Sequence, residues 1–242
     1  MKTNAKVLFF WILCSVMSTD VVFGQGTILI QHAGATDPTS EGFSISGQGL
    51  TGPAFNDLGV NAWIIQTTNG SPLNYLQMLT PIQQSAIGGA NWDLTVTVRS
   101  VQASVGVSGG AQLSAGPEGA FFLNFGIDSN GDPTVRAGSL SPVFVVTNGG
   151  STYNTYQLLY DATDKSASLW VNGTPEGNNI VGDPSYAGSS WGVYWGEFQS
   201  PSGMQANWNS VSLEITPEPS TMVLFGLSAV IVATRCFRER RS

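Results

Sequence analysis

Alternation of apolar and polar residues is the strongest signal in the middle of the chain. From residue 91 to 103, Trp92, Leu94, Val96 and Val98 fall on one face while Asp93, Thr95, Thr97 and Arg99 fall on the other. Strict period two over that length predicts a half-buried β-strand. The same reading predicts strands at 60–66, 120–127, 155–160, 167–171, 192–198 and 208–215. Between such runs, Asn130-Gly131 and Asn172-Gly173 signal tight turns, because both residue types tolerate positive φ, and 161–165 reads as a hairpin loop. Many short strands joined by glycine-rich turns predict two packed antiparallel sheets, an all-β sandwich. One short helix is expected. Thr80 can cap it, Pro81 suits its first position, Gln83 completes a capping box, and Gly88-Gly89 ends it after Ile87.

The two ends break this pattern. Lys2 and Lys6 precede an unbroken apolar run over 7–17, followed by Val22 and Gly24. That arrangement predicts a signal helix and a signal peptide, 1–24, cut between Gly24 and Gln25 by signal peptidase. The run is short against the ~20 residues a membrane-spanning helix needs. At the other end, Pro217-Glu218-Pro219-Ser220 is followed by an apolar stretch over 222–233 and by Arg235, Arg238, Arg240 and Arg241. Thr221, Thr234, Cys236 and Phe237 extend the stretch to a membrane helix over about 221–237, with Arg235 snorkelling to the head groups. The basic end, 235–241, should stay cytoplasmic, which places the body, 25–216, across the membrane.

These three parts, in this order over 217–242, resemble a PEP-CTERM sorting signal: Pro217-Glu218-Pro219, a short helix containing Gly226, and a closing arginine cluster. Glu239 inside that cluster is a slight departure. The resemblance implies an exosortase, a membrane protease acting near Pro-Glu-Pro, in bacteria that make extracellular polysaccharide. Export across the inner membrane follows, with anchoring by the C-terminal helix until processing and then residence in the envelope or extracellular matrix.

Charge and composition narrow the chemistry of the body. Residues 25–217 hold three cations, Arg99, Arg136 and Lys165, against thirteen carboxylates, a formal charge of −10. Such a surface repels phosphate backbones and argues against nucleic acid as a partner. The 27 glycines among those 193 residues are about twice the usual ~7%, which disfavours long helices. Cys14 and Cys236 both lie in the terminal apolar segments, so the body has no thiol for a disulfide or for catalysis. With His32 as the one imidazole, a zinc site is short of ligands and no cofactor is called for. A serine triad would have to use His32, which reads instead as a surface or edge histidine.

The body also carries a family resemblance. The run Tyr156-Gln-Leu-Leu-Tyr-Asp-Ala-Thr-Asp-Lys-Ser-Ala-Ser-Leu-Trp-Val-Asn-Gly173 forms strand, acidic turn and strand, and Ala206-Asn-Trp-Asn-Ser-Val-Ser-Leu-Glu214 closes the domain. With Asp57-Leu-Gly-Val-Asn-Ala-Trp63 and the helix near Leu79, they resemble a concanavalin A-like lectin/glucanase domain of the laminin-G-like kind. The resemblance implies a jelly-roll sandwich and either carbohydrate contact or glucan cleavage. Glucanases of that fold project Glu-x-Asp-x-x-Glu from one strand. Here that segment is absent, and the strand carboxylates Asp93 and Glu197 each stand alone. Laminin-G-like folds also hold calcium at a sheet edge in some members, and Asp128, Asn130 and Asp132 alternate as a calcium loop would. Pro133 and Ser139 break the EF-hand pattern, and an acidic hairpin turn accounts better for these residues.

For glycan contact, Trp191-Gly-Val-Tyr194-Trp195 is the best cluster among the six tryptophans of the body. Trp191, Val193 and Trp195 share one face of a strand and Tyr194 takes the other, so only one set can meet a sugar. The expected role is non-catalytic: a lectin-like envelope or matrix component in contact with extracellular polysaccharide. The alternatives are a glycoside hydrolase acting on that polysaccharide and a purely structural matrix protein. Replacing Pro217 and Pro219 by alanine is expected to leave the tail attached, and intact-mass measurement of the secreted and membrane fractions reads this directly. Normal tail removal in the double variant would rule out recognition through Pro-Glu-Pro.

Overall fold

The structure, a computed structural model, describes residues 26–216 apart from 68–70, 103–105, 139–141, 148, 151, 189–190 and 199–202, and describes no side chains over 102–108. The proposed cleavage site at Gly24 and Gln25, the signal and membrane helices, the sorting motif Pro217, Glu218 and Pro219, and the arginines from Arg235 to Arg241 lie outside these residues. Among the described residues no helix is long and apolar enough to cross a membrane.

Among the described residues fifteen strands form two antiparallel sheets. In the first, β13 (Thr174–Ile180), β12 (Ser166–Val171), β11 (Asn154–Asp161), β6 (Trp92–Gln102), β15 (Gln205–Ile215), β4 (Val60–Gln66) and β3 (Leu50–Asp57) lie side by side. β15 is long enough to serve two neighbours on one side: Gln205 to Trp208 pair with β4, and Ser210 to Ile215 pair with β1 (Thr27–Ala33). The second sheet runs β10 (Phe144–Val145), β9 (Pro133–Ala137), β8 (Ala120–Ile127), β7 (Gly106–Ala115), β14 (Trp191–Glu197), β5 (Leu73–Met78) and β2 (Ser44–Gly47). The expected all-β sandwich is the fold observed.

Period two sets which side chains fill the space between the sheets. Leu94, Val96, Tyr156, Leu158, Val211 and Leu213 project from the first sheet, and Leu113, Phe121, Leu123, Val193 and Trp195 from the second, all buried. Aromatic rings concentrate in this layer. Trp195 and Trp208, from opposite sheets, approach to 5.1 Å between ring centroids, and Tyr75 stacks on Trp195 at 4.9 Å. Trp63 Nε1 donates to the Tyr75 hydroxyl at 2.9 Å, so this buried pair satisfies its own polar atoms.

The turns follow residue chemistry. Asn172 and Gly173, both at positive φ, join β12 to β13 as their sequence predicts. At Asn130-Gly131 only the glycine takes positive φ. The helix α1 (Pro81–Ile87) carries the expected reciprocal capping box: Gln83 N donates to Thr80 Oγ1 and Thr80 N donates to Gln83 Oε1. The Gln83 amide also donates to the Leu29 carbonyl at 2.8 Å, tying the helix to β1.

His32 corrects an expectation. It lies on β1, which among the described residues pairs with β15 alone, but it is not a surface residue: the ring is fully buried, stacked on Trp195 at 4.7 Å between ring centroids. Nδ1 lies 2.6 Å from Glu41 Oε2, which places the proton on Nδ1 as donor to the carboxylate. Nε2 has no hydrogen-bond partner among the described residues. Desolvation lowers the imidazole pKa below its ordinary 6.5, and the opposing pull of Glu41 does not overcome it. The folded protein therefore holds a neutral ring that the unfolded chain protonates below pH 6.5. The stability this gives is complete above pH 6.5 and is lost as pH falls toward the depressed folded value. Unfolding titrations between pH 7.5 and pH 5 should show stability falling below about pH 6.5, no more steeply than about 1.4 kcal/mol per pH unit. His32→Gln should flatten that slope, and a slope unchanged in the variant would assign it to other groups.

Candidate functional site

β14 begins at Trp191, where the second sheet reaches the end of the sandwich. Its register is fixed there by pairing Trp191 with Ala115 of β7, and the Leu79 N–H donates to the Trp191 carbonyl at 2.9 Å. Because side chains alternate, Trp191 faces the same side as buried Val193 and Trp195 but lies beyond the core's end and is half-buried. Beside it the chain makes a 3-10 turn at Gly116–Glu118. Gly116 has φ +57°, and a Cβ there would lie 2.3 Å from Trp191 Nε1. Only glycine lets the indole lie across that turn.

The turn delivers Glu118 to the mouth of a cleft of about 170 Å³ between α1, β11 and the start of β14. Trp92 and Tyr160 stack at 4.8 Å with nearly parallel planes, and Phe121 packs edge-on against both. With Trp191 they form the aromatic wall. The Tyr160 hydroxyl donates a short hydrogen bond to Glu118 Oε2. Burial pushes the Tyr160 phenol well up, and the neighbouring carboxylates of Glu118 and Asp161 push it further, so it stays a donor at neutral pH. Lys165, in the turn between β11 and β12 with φ +53°, brings Nζ to 3.7 Å from Glu118 Oε1 while remaining largely exposed. The cleft thus combines the partly exposed indole of Trp191, one carboxylate and one ammonium, on a floor of buried aromatic rings. That set suits a ring with an apolar face and a hydroxyl-bearing edge.

Of the three aromatic residues singled out from the sequence, Trp191 reaches this cleft. Trp195 is fully buried between the sheets, stacked on His32 and Tyr75, and so is corrected from contact residue to core. Tyr194 is half-buried on the outer face of the second sheet, between Leu76 and Gln112 of the flanking strands. Asp128 behaves as the acidic turn requires. Its Oδ1 accepts from the Asn130 and Asp132 backbone N–H groups, and these bonds, foremost that from Asp132, hold its carboxyl below the usual range. Among the described residues no group of three or more His, Cys, Asp or Glu side chains is placed to hold a metal.

Sequence reasoning missed Glu118, Tyr160 and Lys165 as a group, because a hairpin turn and a 3-10 turn far apart in the chain bring them together. Asp93, the lone carboxylate within its own strand as expected, has Glu214 of β15 directly opposite it across the strand pair. Gln157 and Thr95 both donate to the Asp93 carboxylate on the outer face of the first sheet. Burial raises the Asp93 pKa, and the Glu214 charge adds to the rise. Glu197 is buried at the end of β14 in the other sheet.

These features define an antiparallel β-sandwich with an end cleft, and solved structures share the fold. A carbohydrate esterase from the Shiga toxin-encoding bacteriophage phi24B superposes with a TM-score of 0.59 at 12% identity, over 79% of this chain and all of that one. The binding domain of botulinum neurotoxin serotype D/C gives 0.54 at 8% identity, over 83% of this chain and 52% of that one. A botulinum neurotoxin type C structure, described as dependent on two ganglioside molecules for cell entry, gives 0.54 at 8%, over 83% and 50%. The chain spans about half the length of these toxin chains. No curated protein sequence matches it. Residues 216–241 match the PEP-CTERM protein-sorting motif, so the sandwich carries a tail that signals export and exosortase processing at the membrane.

The glycine beneath Trp191 yields a direct check on the cleft. Gly116→Ala combines a strained left-handed backbone with a clash at the indole, and should cost about 1–3 kcal/mol while displacing Trp191. A red-shifted tryptophan emission alongside a lower melting temperature is the expected result. An unaltered spectrum would show that the indole does not rest on Gly116.

Proposed function

We propose that this protein is a non-catalytic, lectin-like component of the bacterial envelope or extracellular matrix, and that its end cleft contacts extracellular polysaccharide. The observation that carries the reading is the cleft itself: the half-buried Trp191 offers ring surface beside Glu118 and Lys165, above the buried Trp92–Tyr160 stack. Sugar rings place C–H faces on indoles and hydroxyls on carboxylates and amines, so these residue types match that ligand class. One carboxylate, Glu118, lines the cleft among the described residues, whereas glycoside hydrolysis of the usual kind needs two flanking the bond. The fold shared with a carbohydrate esterase and with ganglioside-dependent toxin domains supports the same reading.

In this account 1–24 is a signal peptide removed by signal peptidase, 25–216 is the sandwich domain, and 217–242 is the sorting tail. The helix over about 221–237 holds the chain in the membrane until an exosortase acts. A single cleft of this size would bind weakly, and anchoring many copies at one surface would raise the effective affinity.

The Asp93–Glu214 pair favours a second reading, hydrolysis of the polysaccharide, since it places two carboxylates side by side with a raised proton affinity on one. One experiment addresses both. Full-length protein in a detergent without a sugar head group is tested on a polysaccharide panel for retention and for release of reducing ends. The expected outcome is saturable retention without release, weakened about tenfold or more by Trp191→Ala and unaffected by Trp170→Ala on the outer face of the first sheet. Sugar release that disappears in Asp93→Asn would establish the hydrolase instead. Neither retention nor release would leave the structural matrix role.

A further inference from the structure

The three cations of the body are treated unequally by the fold. Arg99 grips Asp57 with two nitrogens, Nε at 3.0 Å and Nη2 at 2.7 Å, and Tyr153 and Asn207 donate to the same carboxylate. Lys165 lies beside Glu118. Arg136, surrounded by a body carrying thirteen carboxylates, forms no ion pair or hydrogen bond through its side chain among the described residues. Its Nε is buried with no acceptor. A guanidinium nitrogen withdrawn from water and left unpaired is costly.

Arg136 lies in a notch of about 290 Å³ on the outer face of the second sheet, well away in the strand order from Trp191. Asn124 of β8 is its direct cross-strand neighbour, and Thr134, two residues earlier on β9, projects from the same face. Val143 and Val145 form the opposite wall and are partly exposed. Asp128 stands at the rim with its oxygens taken up by backbone and side-chain N–H groups of its own turn.

We propose that this notch is a second ligand site, and that it takes one carboxylate-bearing sugar residue, a hexuronate, with the carboxylate on Arg136. A planar guanidinium matches a carboxylate with two parallel N–H···O bonds. The Asn124 amide and the Thr134 hydroxyl supply neutral donors and acceptors for ring hydroxyls, and the valines supply an apolar surface for its C–H face. A volume near the small end of ligand pockets, ~300–1,000 Å³, fits one ring. The acidic body sets a further limit: a run of consecutive carboxylates would meet repulsion that a single uronate in a neutral chain does not. The site therefore selects a sparsely acidic polysaccharide over a polyuronate. This inference rests on the polysaccharide reading above but on a separate set of residues.

The test titrates full-length protein, in the same sugar-free detergent, with cellobiouronate and with cellobiose, which differ by the one carboxylate, and reads backbone amide shifts. Cellobiouronate should shift amides around Asn124, Arg136 and Val145, and cellobiose should bind there at least about tenfold more weakly. Arg136→Gln should abolish the difference, and Arg136→Lys should retain part of it, as a point charge lacking the fork would. Thermal unfolding establishes that both variants are folded. Trp191→Ala should leave these shifts in place, which separates failure of the notch from failure of the cleft. Equal binding of the two disaccharides, unchanged binding in folded Arg136→Gln, or no shift around the notch at any soluble concentration would each overturn the proposal.

Discussion

The contact between Trp195 of one sheet and Trp208 of the other is the interaction on which the rest of this structure depends. The body has no cysteine to staple the sheets, so their association rests on what the two inner faces bury. Both indoles are fully buried, and Tyr75, His32 and Phe43 close around Trp195 while Phe125 packs on Trp208. A one-residue slip in β14 would turn Trp195 and Val193 to solvent, so this seam fixes the strand's register. The same register fixes the site. Trp191 stands four residues before Trp195, on the same face, and reaches the mouth of the sandwich where the core runs out. The end cleft is the core's aromatic layer continued into solvent.

What could be read from the sequence follows from how each strand is buried. β6 packs one face inward and alternates cleanly, and β4 and β8 are apolar runs bounded by turns, so their limits agree with the pattern to within a residue. β13 is an edge strand with little burial, and Thr174-Pro-Glu-Gly-Asn-Asn-Ile180 carries no alternation to detect. β7 fails to announce itself for the opposite reason. Packing there demands small residues: a Cβ on Gly110 would lie 2.3 Å from the Leu123 carbonyl oxygen. A glycine-rich stretch of that kind reads as a turn until its neighbours are known.

The site was harder to foresee because its chemistry is assembled across the sandwich. Trp191 could be named from local pattern, but not whether it or Tyr194 faced outward. Glu118, Tyr160 and Lys165 meet through the geometry of two turns, one set by Gly116 and the other by Lys165 in a left-handed conformation. His32 shows the same limit from the other side. Between Gln31 and Ala33 nothing marks it as core, and its burial comes from the Trp195 face above it and the Glu41 carboxylate beside it.

Charge explains why a chain this acidic can still be suited to a matrix of sugars. Asp37, Asp161, Asp164 and Glu176 face water, where carboxylates repel other polyanions. At two places where the fold offers a cavity, the acidic background is interrupted: Lys165 stands at the cleft and Arg136 in the notch. If both sites bind as proposed, their aromatic and aliphatic walls would supply affinity that does not depend on net charge, while the lone cations would bias the orientation of the ligand. A ligand with few charges and many ring faces satisfies both conditions. A tail that holds copies at the membrane would supply the effective concentration that such weak, oriented contacts require.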